Sequence, residues 1–189
     1  MKEFENCFIG IPLPSEYLGE FGDLLKKIGN IDPEIKLTDP TTLVPHLTIC
    51  YLDKQSRDNL REIEAVIKKH IGLIKEMQLK INGVDTFGDG LPWVLFLPIE
   101  FPSRLATFSD VLATNLSKYL SGKKNLPFHP HMTVARFTDE SRVKWEVTKA
   151  AFDSQMSKIN WQFPITEVVI FGVDSQTPEL HQKLSTIKV

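Results

Sequence analysis

Apolar and polar positions along the chain fall into two periods, one near two residues and one near 3.6, which mark strands and amphipathic helices. Phe4 to Leu13 is apolar and closes on Pro12-Leu13-Pro14, which predicts a strand. Ser15 is a good helix N-cap with Glu16 in the first turn. Leu18, Phe21, Leu24, Leu25 and Ile28 then recur at helical spacing until Gly29-Asn30. Ile35 to Leu37 and Leu43-Val44 read as short strands around an Asp39-Pro40 turn, and His46 to Leu52 as a further strand.

Gln55 to Lys75 carries Leu60, Ile63, Ile67, Ile71 and Ile74 on one stripe and predicts a long helix. Met77 to Val84 alternates as a half-buried strand does. Phe87-Gly88-Asp89-Gly90 reads as a turn, and Trp93 to Ile99 as a strand. Pro102-Ser103 opens a second long helix with the stripe Leu105, Phe108, Leu112, Leu116 and Tyr119, stopped by Gly122. His131 to Phe137 reads as a strand. Ser141 to Met156 reads as a helix with Val143, Val147 and Phe152 on its apolar side. Trp161 to Val173 reads as one strand bent at Pro164, and Leu180 to Val189 as the last strand.

Strands and helices are mixed, so the expected class is α+β with antiparallel sheets flanked by helices. A strand, an amphipathic helix and a His-x-Thr strand occur in each half. That coarse repeat predicts two pseudo-symmetric lobes facing a shared cleft, within one bilobal domain spanning 1–189.

The two His-x-Thr strands carry the candidate chemistry. In His46-Leu47-Thr48-Ile49 and His131-Met132-Thr133-Val134, side-chain alternation puts each histidine and threonine on one face, about 7 Å apart. Two such pairs facing each other would surround a small anion with two proton-transfer groups and two hydroxyl donors. That cleft is the expected active site.

Composition narrows the class. The 189 residues hold 22 Lys and Arg against 24 Asp and Glu, a formal net charge of −2. This argues against coating long nucleic acid through a basic face, but leaves room for a nucleotide or an RNA end. The two cysteines, Cys7 and Cys50, give neither a disulfide framework nor zinc spacing. Neither a signal peptide nor an apolar run of membrane-spanning length stands out, so a soluble, cytoplasmic protein without membrane contact is expected, as a monomer.

The stretch Pro127-Phe128-His129-Pro130-His131-Met132-Thr133-Val134-Ala135-Arg136 resembles the second motif of the 2H phosphoesterases, and Pro45-His46-Leu47-Thr48-Ile49 their first. The branch most similar is LigT-like: RNA 2′,3′-cyclic phosphodiesterases, also named 2′-5′ RNA ligases. The order of elements and Phe87-Gly88 followed by Pro92-Trp93-Val94-Leu95 are also similar. The resemblance implies that His46 and His131 are catalytic and that Thr48 and Thr133 hold the phosphate. It further implies His46 as proton donor to the leaving oxygen and His131 as base. Arg136 matches an arginine of the second motif and is implied as a phosphate ligand. An ideal strand would point Arg136 away from His131, and a bulge would re-aim it.

The expected reaction is hydrolysis of an RNA 2′,3′-cyclic phosphate to a 2′-phosphate, with reverse 2′-5′ ligation. Two histidines titrating near pH 6.5 can supply both proton transfers, so neither cofactor nor metal is expected. The expected partner is an RNA 3′ end or a small cyclic nucleotide. Phe128 is the expected base-stacking residue, with Trp93 and Phe87 as further aromatic candidates whose other role is core packing. Cys50 shares an ideal-strand face with His46 and Thr48 and reads as a buried thiol or a nucleophile. His129 with His131 reads as a metal pair only in a metallohydrolase. His70 and His181 read as structural or exposed. Three alternatives stay open: a 2H phosphodiesterase for ADP-ribose cyclic phosphate or 2′-5′ oligoadenylate, a non-catalytic RNA-binding module, and that metallohydrolase.

Overall fold

The computed structural model describes residues 3–120, 128–156, 158–174, 176–178 and 180–189. Gly122, expected to stop a helix, and Pro127 of the second motif lie outside them. The described strands are β1 (Glu3–Pro12), β2 (Lys36–Leu37), β3 (His46–Tyr51), β4 (Gln55–Ser56), β5 (Gln78–Asn82), β6 (Asp85–Phe87), β7 (Val94–Glu100), β8 (His131–Arg136), β9 (Asn160–Pro164), β10 (Glu167–Asp174) and β11 (His181–Lys188). The helices are α1 (Leu18–Ile31), α2 (Arg57–His70), α3 (Ser103–Asn115), α4 (Asp139–Val143) and α5 (Trp145–Met156).

Two antiparallel sheets form. The first runs β11-β10-β1-β3 with β4 beside β1, and the second β2-β8-β7-β5-β9 with β6 beside β7. This is the α+β architecture of two sheet-based lobes that the sequence predicts. In each lobe the strand before the helix pairs with the motif strand after it: β1 with β3, and β7 with β8. The helix between them crosses over. α1, between β1 and β3, packs on α5 and β2 of the second lobe, and Tyr17 just before it packs on Trp161 and Phe163 of β9. α3, between β7 and β8, packs on α2 and β3 of the first. Each lobe is therefore closed by the other half of the chain, and one continuous core of buried side chains results, among them Phe21, Phe108 and Phe163.

Local chemistry explains where the elements depart from the expected bounds. Ser56 accepts from the Asn59 N–H at 3.2 Å and caps α2, so Gln55 and Ser56 stay extended and pair with β1. The long helix ends at His70 and continues as a 3-10 segment, Ile71–Ile74. Trp161 to Val173 is two strands, not one bent strand. Pro164 ends β9 beside β5, and β10 starts again in the first sheet beside β1. Leu43-Val44 forms no strand; it lines the cleft. Val143 and Val147 are 77% and 84% exposed, because α4 ends at Val143 and α5 restarts at Trp145 on a new face. That new face buries Trp145, Phe152 and Met156.

Candidate active site

Strands β3 and β8 approach within 8 Å, Cα to Cα, at the junction of the lobes. Both have the same burial sequence, with half-buried His and Thr alternating with buried apolar residues. Both run from a buried proline, Pro45 or Pro130, whose carbonyl accepts from Leu13 at 2.8 Å or from Ile99 at 3.2 Å. Each motif histidine is paired with a proline: Pro12 opposite His46 and Pro98 opposite His131. The N–H groups of Leu13 and Ile99, one residue beyond those prolines, bond the carbonyls just before the histidines, so each ring stands at the first position of its strand.

A bulge follows each motif. Gly10 pairs with Thr48 but Ile9 with Cys50, which makes Ile49 the extra residue. Phe96 pairs with Thr133 but Leu95 with Ala135, which makes Val134 the extra residue. One added residue reverses the faces beyond it. Arg136 is thereby brought into the cleft with His131 and Thr133, and Tyr51 with His46 and Thr48. The same reversal turns Cys50 into the core at 5% exposure, which corrects the face expected for it.

The histidines are held alike. His46 Nδ1 lies 2.8 Å from the Val44 carbonyl oxygen, and His131 Nδ1 lies 2.7 Å from that of His129. A carbonyl only accepts, so Nδ1 carries the hydrogen in both rings and Nε2 is left for a substrate. Stacked phenylalanines back each ring. Phe8 lies 4.6 Å from His46 and 4.9 Å from Phe171, centroid to centroid. Phe87 lies edge-on 4.9 Å from His131 and 4.1 Å from Phe96.

Between them opens a cleft of about 920 Å³ lined by His46, Thr48, His131, Thr133 and Arg136, with the 38–45 loop as one wall. The structure does not bring Phe128 there: its ring packs edge-on against Phe101 at 5.8 Å. Trp93 is 57% exposed under the Arg142 guanidinium, 3.6 Å away, and is not part of the lining. His129 touches Phe87 beside His131. His70 closes α2 outside the cleft. Among the described residues, no group of three or more His, Cys, Asp or Glu could hold a metal, and no helix is long and apolar enough to cross a membrane.

Residues 33–177 match the family model of the 2′-5′ RNA ligase superfamily. The chain belongs to that superfamily. Its fold is the LigT-like 2H phosphoesterase fold. TT0787 of Thermus thermophilus is similar over 97% of both chains, at 16% identity and a TM-score of 0.69. Escherichia coli LigT in its apo form has the same identity and TM-score over 100% of this chain and 98% of its own. The MHV ns2 PDE domain is similar over 89% of this chain and 99% of its own, at 17% identity and a TM-score of 0.58. No curated protein sequence matches the chain.

Burial bears on the charge state of the two motif imidazoles. Desolvation pushes His46 down to about 4, aided by the charges of His181 and His131. Desolvation also lowers His131, with smaller contributions from His129 and Arg136. Both shifts favour the neutral imidazole.

Two lining residues had no signal in the motifs. His181 opens β11, and its N–H donates to the Thr42 carbonyl at 3.0 Å, which fastens it to the loop before His46. Its ring lies 5.9 Å from that of Phe8, and neither ring nitrogen has a hydrogen-bond partner among the described residues. Lys36 of β2 lines the cleft opposite Arg136. Only tertiary pairing brings either one to the site.

Proposed function

We propose that this chain is a phosphodiesterase that hydrolyses RNA 2′,3′-cyclic phosphate ends to 2′-phosphates. The observation that carries the reading is the pair of histidines anchored through Nδ1 in one cleft, each beside a threonine. Water attacks phosphorus and gives its proton to one Nε2. The phosphorus–O3′ bond breaks, and O3′ takes a proton from the other ring. A monoanionic phosphate entering the cleft favours protonation of one imidazole, which supplies that acid.

Burial supports one assignment of the roles. His46 is the harder ring to charge, so it is the base, and the less buried His131 is the acid, the reverse of what the family resemblance implies. Thr48 and Thr133 donate to the non-bridging oxygens, and Arg136 adds a cation on the His131 side. With a 5′-hydroxyl in place of water, the same groups form a 2′-5′ linkage. E. coli LigT has been crystallised with 3′-AMP and with phosphate, which supports a nucleotide phosphate as the substrate class.

The test is an RNA oligonucleotide ending in a 2′,3′-cyclic phosphate, incubated with the wild type, His46→Ala and His131→Ala. The expected product is a 2′-phosphate that resists a 3′-specific phosphatase, with each variant slower by roughly 10²–10⁴-fold. No conversion by the wild type, or conversion unchanged in both variants, overturns the proposal.

A further inference from the structure

The two His-Thr sets match, but the rims beyond them do not. Two residues after the extra residue of each bulge the first lobe has Tyr51 and the second has Arg136. Lys36 stands directly opposite Arg136 across the β2–β8 pair, so two cations share one face of the sheet. Both are exposed, and both line the cleft. Like charges placed directly opposite each other repel.

Nothing described relieves that repulsion. Neither Lys36 nor Arg136 forms an ion pair among the described residues. The other cross-strand neighbour of Arg136 is Val94, which brings no charge. The two carboxylates of the lining serve their own turns. Asp39 accepts from the Thr41 N–H at 2.8 Å and its hydroxyl at 2.7 Å, and Asp53 accepts from the Lys54 N–H at 2.9 Å. A pair of cations that repel when the cleft is empty is drawn together by an anion.

The place of the pair decides which anion. Thr133 to Arg136 is three residues of bulged strand, up to about 10 Å. Lys36 is one strand further toward the sheet edge. A phosphate between His46 and His131 is thus within reach of Arg136, and Lys36 lies beyond it. We propose that Lys36 is a specificity-determining residue: with Arg136 it forms a second anion subsite for the 5′-phosphate of the nucleotide whose 2′,3′ edge lies between the histidines. This rests on the cyclic-phosphate reading above and adds to it a substrate with at least two phosphates. A nucleoside 2′,3′-cyclic phosphate without a 5′-phosphate would leave the subsite empty.

The test is calorimetric binding of adenosine 2′-monophosphate and adenosine 2′,5′-bisphosphate to the wild type, Lys36→Gln and Lys36→Arg. The wild type is expected to bind the bisphosphate about tenfold more tightly or better, the worth of one charge-assisted contact. Lys36→Gln loses that preference while its affinity for the monophosphate changes less than about twofold, and Lys36→Arg keeps it. A wild type that binds both ligands equally, or neither, overturns the proposal. So does a Lys36→Gln variant that keeps the preference or weakens both ligands alike. Turnover of the cyclic-phosphate oligonucleotide by the same samples separates the two readings. Preference without turnover removes the hydrolase and leaves the subsite; turnover without preference does the reverse.

Discussion

Ile49 and Val134 hold the same place in the two motif strands: each is the extra residue of a bulge directly after the motif threonine. Their carbonyls are satisfied in parallel ways. The Ile49 oxygen accepts from the Ser109 hydroxyl at 3.1 Å. The Val134 oxygen accepts from both the N–H and the hydroxyl of Thr38, each at 2.9 Å. A bulge leaves backbone groups without ladder partners, and burying them unpaired is costly. These donors hold the bulges, and the bulges aim Tyr51 and Arg136 into the cleft.

Ser109→Ala therefore costs more stability than Thr38→Val. The first removes the only side-chain donor described for the Ile49 carbonyl, at a buried site, and should cost about 1–3 kcal/mol. The second leaves the Thr38 N–H in place and should cost about 0.5–1.5 kcal/mol. Urea unfolding of both variants beside the wild type checks the order. Equal losses would mean that the hydroxyls do not hold the bulges.

Those bulges mark the limit of what is legible in the sequence. Alternation alone puts His46 with Thr48 and His131 with Thr133, and the structure keeps both pairs. But Ile49 and Val134 are apolar residues in apolar runs, and an extra residue in a strand leaves no compositional mark. Alternation therefore gives Cys50 the wrong face, and the face of Arg136 depends on a bulge that only cross-strand register reveals. The break at Pro164 is visible, but the change of sheet after it is not, because pairing with β5 and then β1 is long-range. Val143 and Val147 mimic a helix face at i, i+4, yet the chain starts a new helix between them. His181 and Lys36 reach the cleft through sheet order alone.

Gly10→Ala tests how tightly the first motif is packed. A Cβ there would lie 3.1 Å from the Leu47 carbonyl oxygen and 3.4 Å from both the His46 and Phe171 rings. The Leu47 carbonyl oxygen must give by a few tenths of an ångström, and a shift of the backbone there carries the adjoining His46 with it, while both rings stay at ordinary contact distance. The expected result is roughly a tenfold or greater loss of kcat, since small misplacements of a catalytic group are expensive. Stability should fall by only about 1–2 kcal/mol. A loss of stability with full kcat would show that the sheet absorbs the methyl without moving His46.

His181→Ala and His181→Gln ask what the third cleft imidazole does. It shares Phe8 with His46 and is tied through its backbone to the loop beside it. Its ring nitrogens have no hydrogen-bond partner among the described residues, unlike those of the motif rings, so the expected role is contact with the substrate. The alanine variant should raise KM several-fold, by the loss of one net hydrogen bond of about 1 kcal/mol, with kcat changed less. The glutamine variant should recover part of that loss. A fall in kcat with unchanged KM would instead place His181 in the chemical step.

The burial of His46 also makes a prediction about stability against pH. Its folded pKa is pushed down to about 4, while the unfolded chain titrates it near 6.5. Above pH 6.5 the ring is neutral in both states, and His46 contributes no slope. Between 6.5 and 4 the unfolded chain takes up a proton that the folded protein refuses. Stability therefore falls as pH falls through that window and levels off below it. His131 and His181, both lowered by desolvation, act in the same direction. His46 alone accounts for up to about 3 kcal/mol over the window. Urea midpoints at pH 7, 6, 5 and 4 should decline for the wild type and decline less for His46→Gln, which cannot titrate. Equal slopes for the two proteins would mean that His46 protonates as freely folded as unfolded. It would then carry a proton in acid as readily as His131, and the assignment of His46 as base on the ground of burial would fail with it.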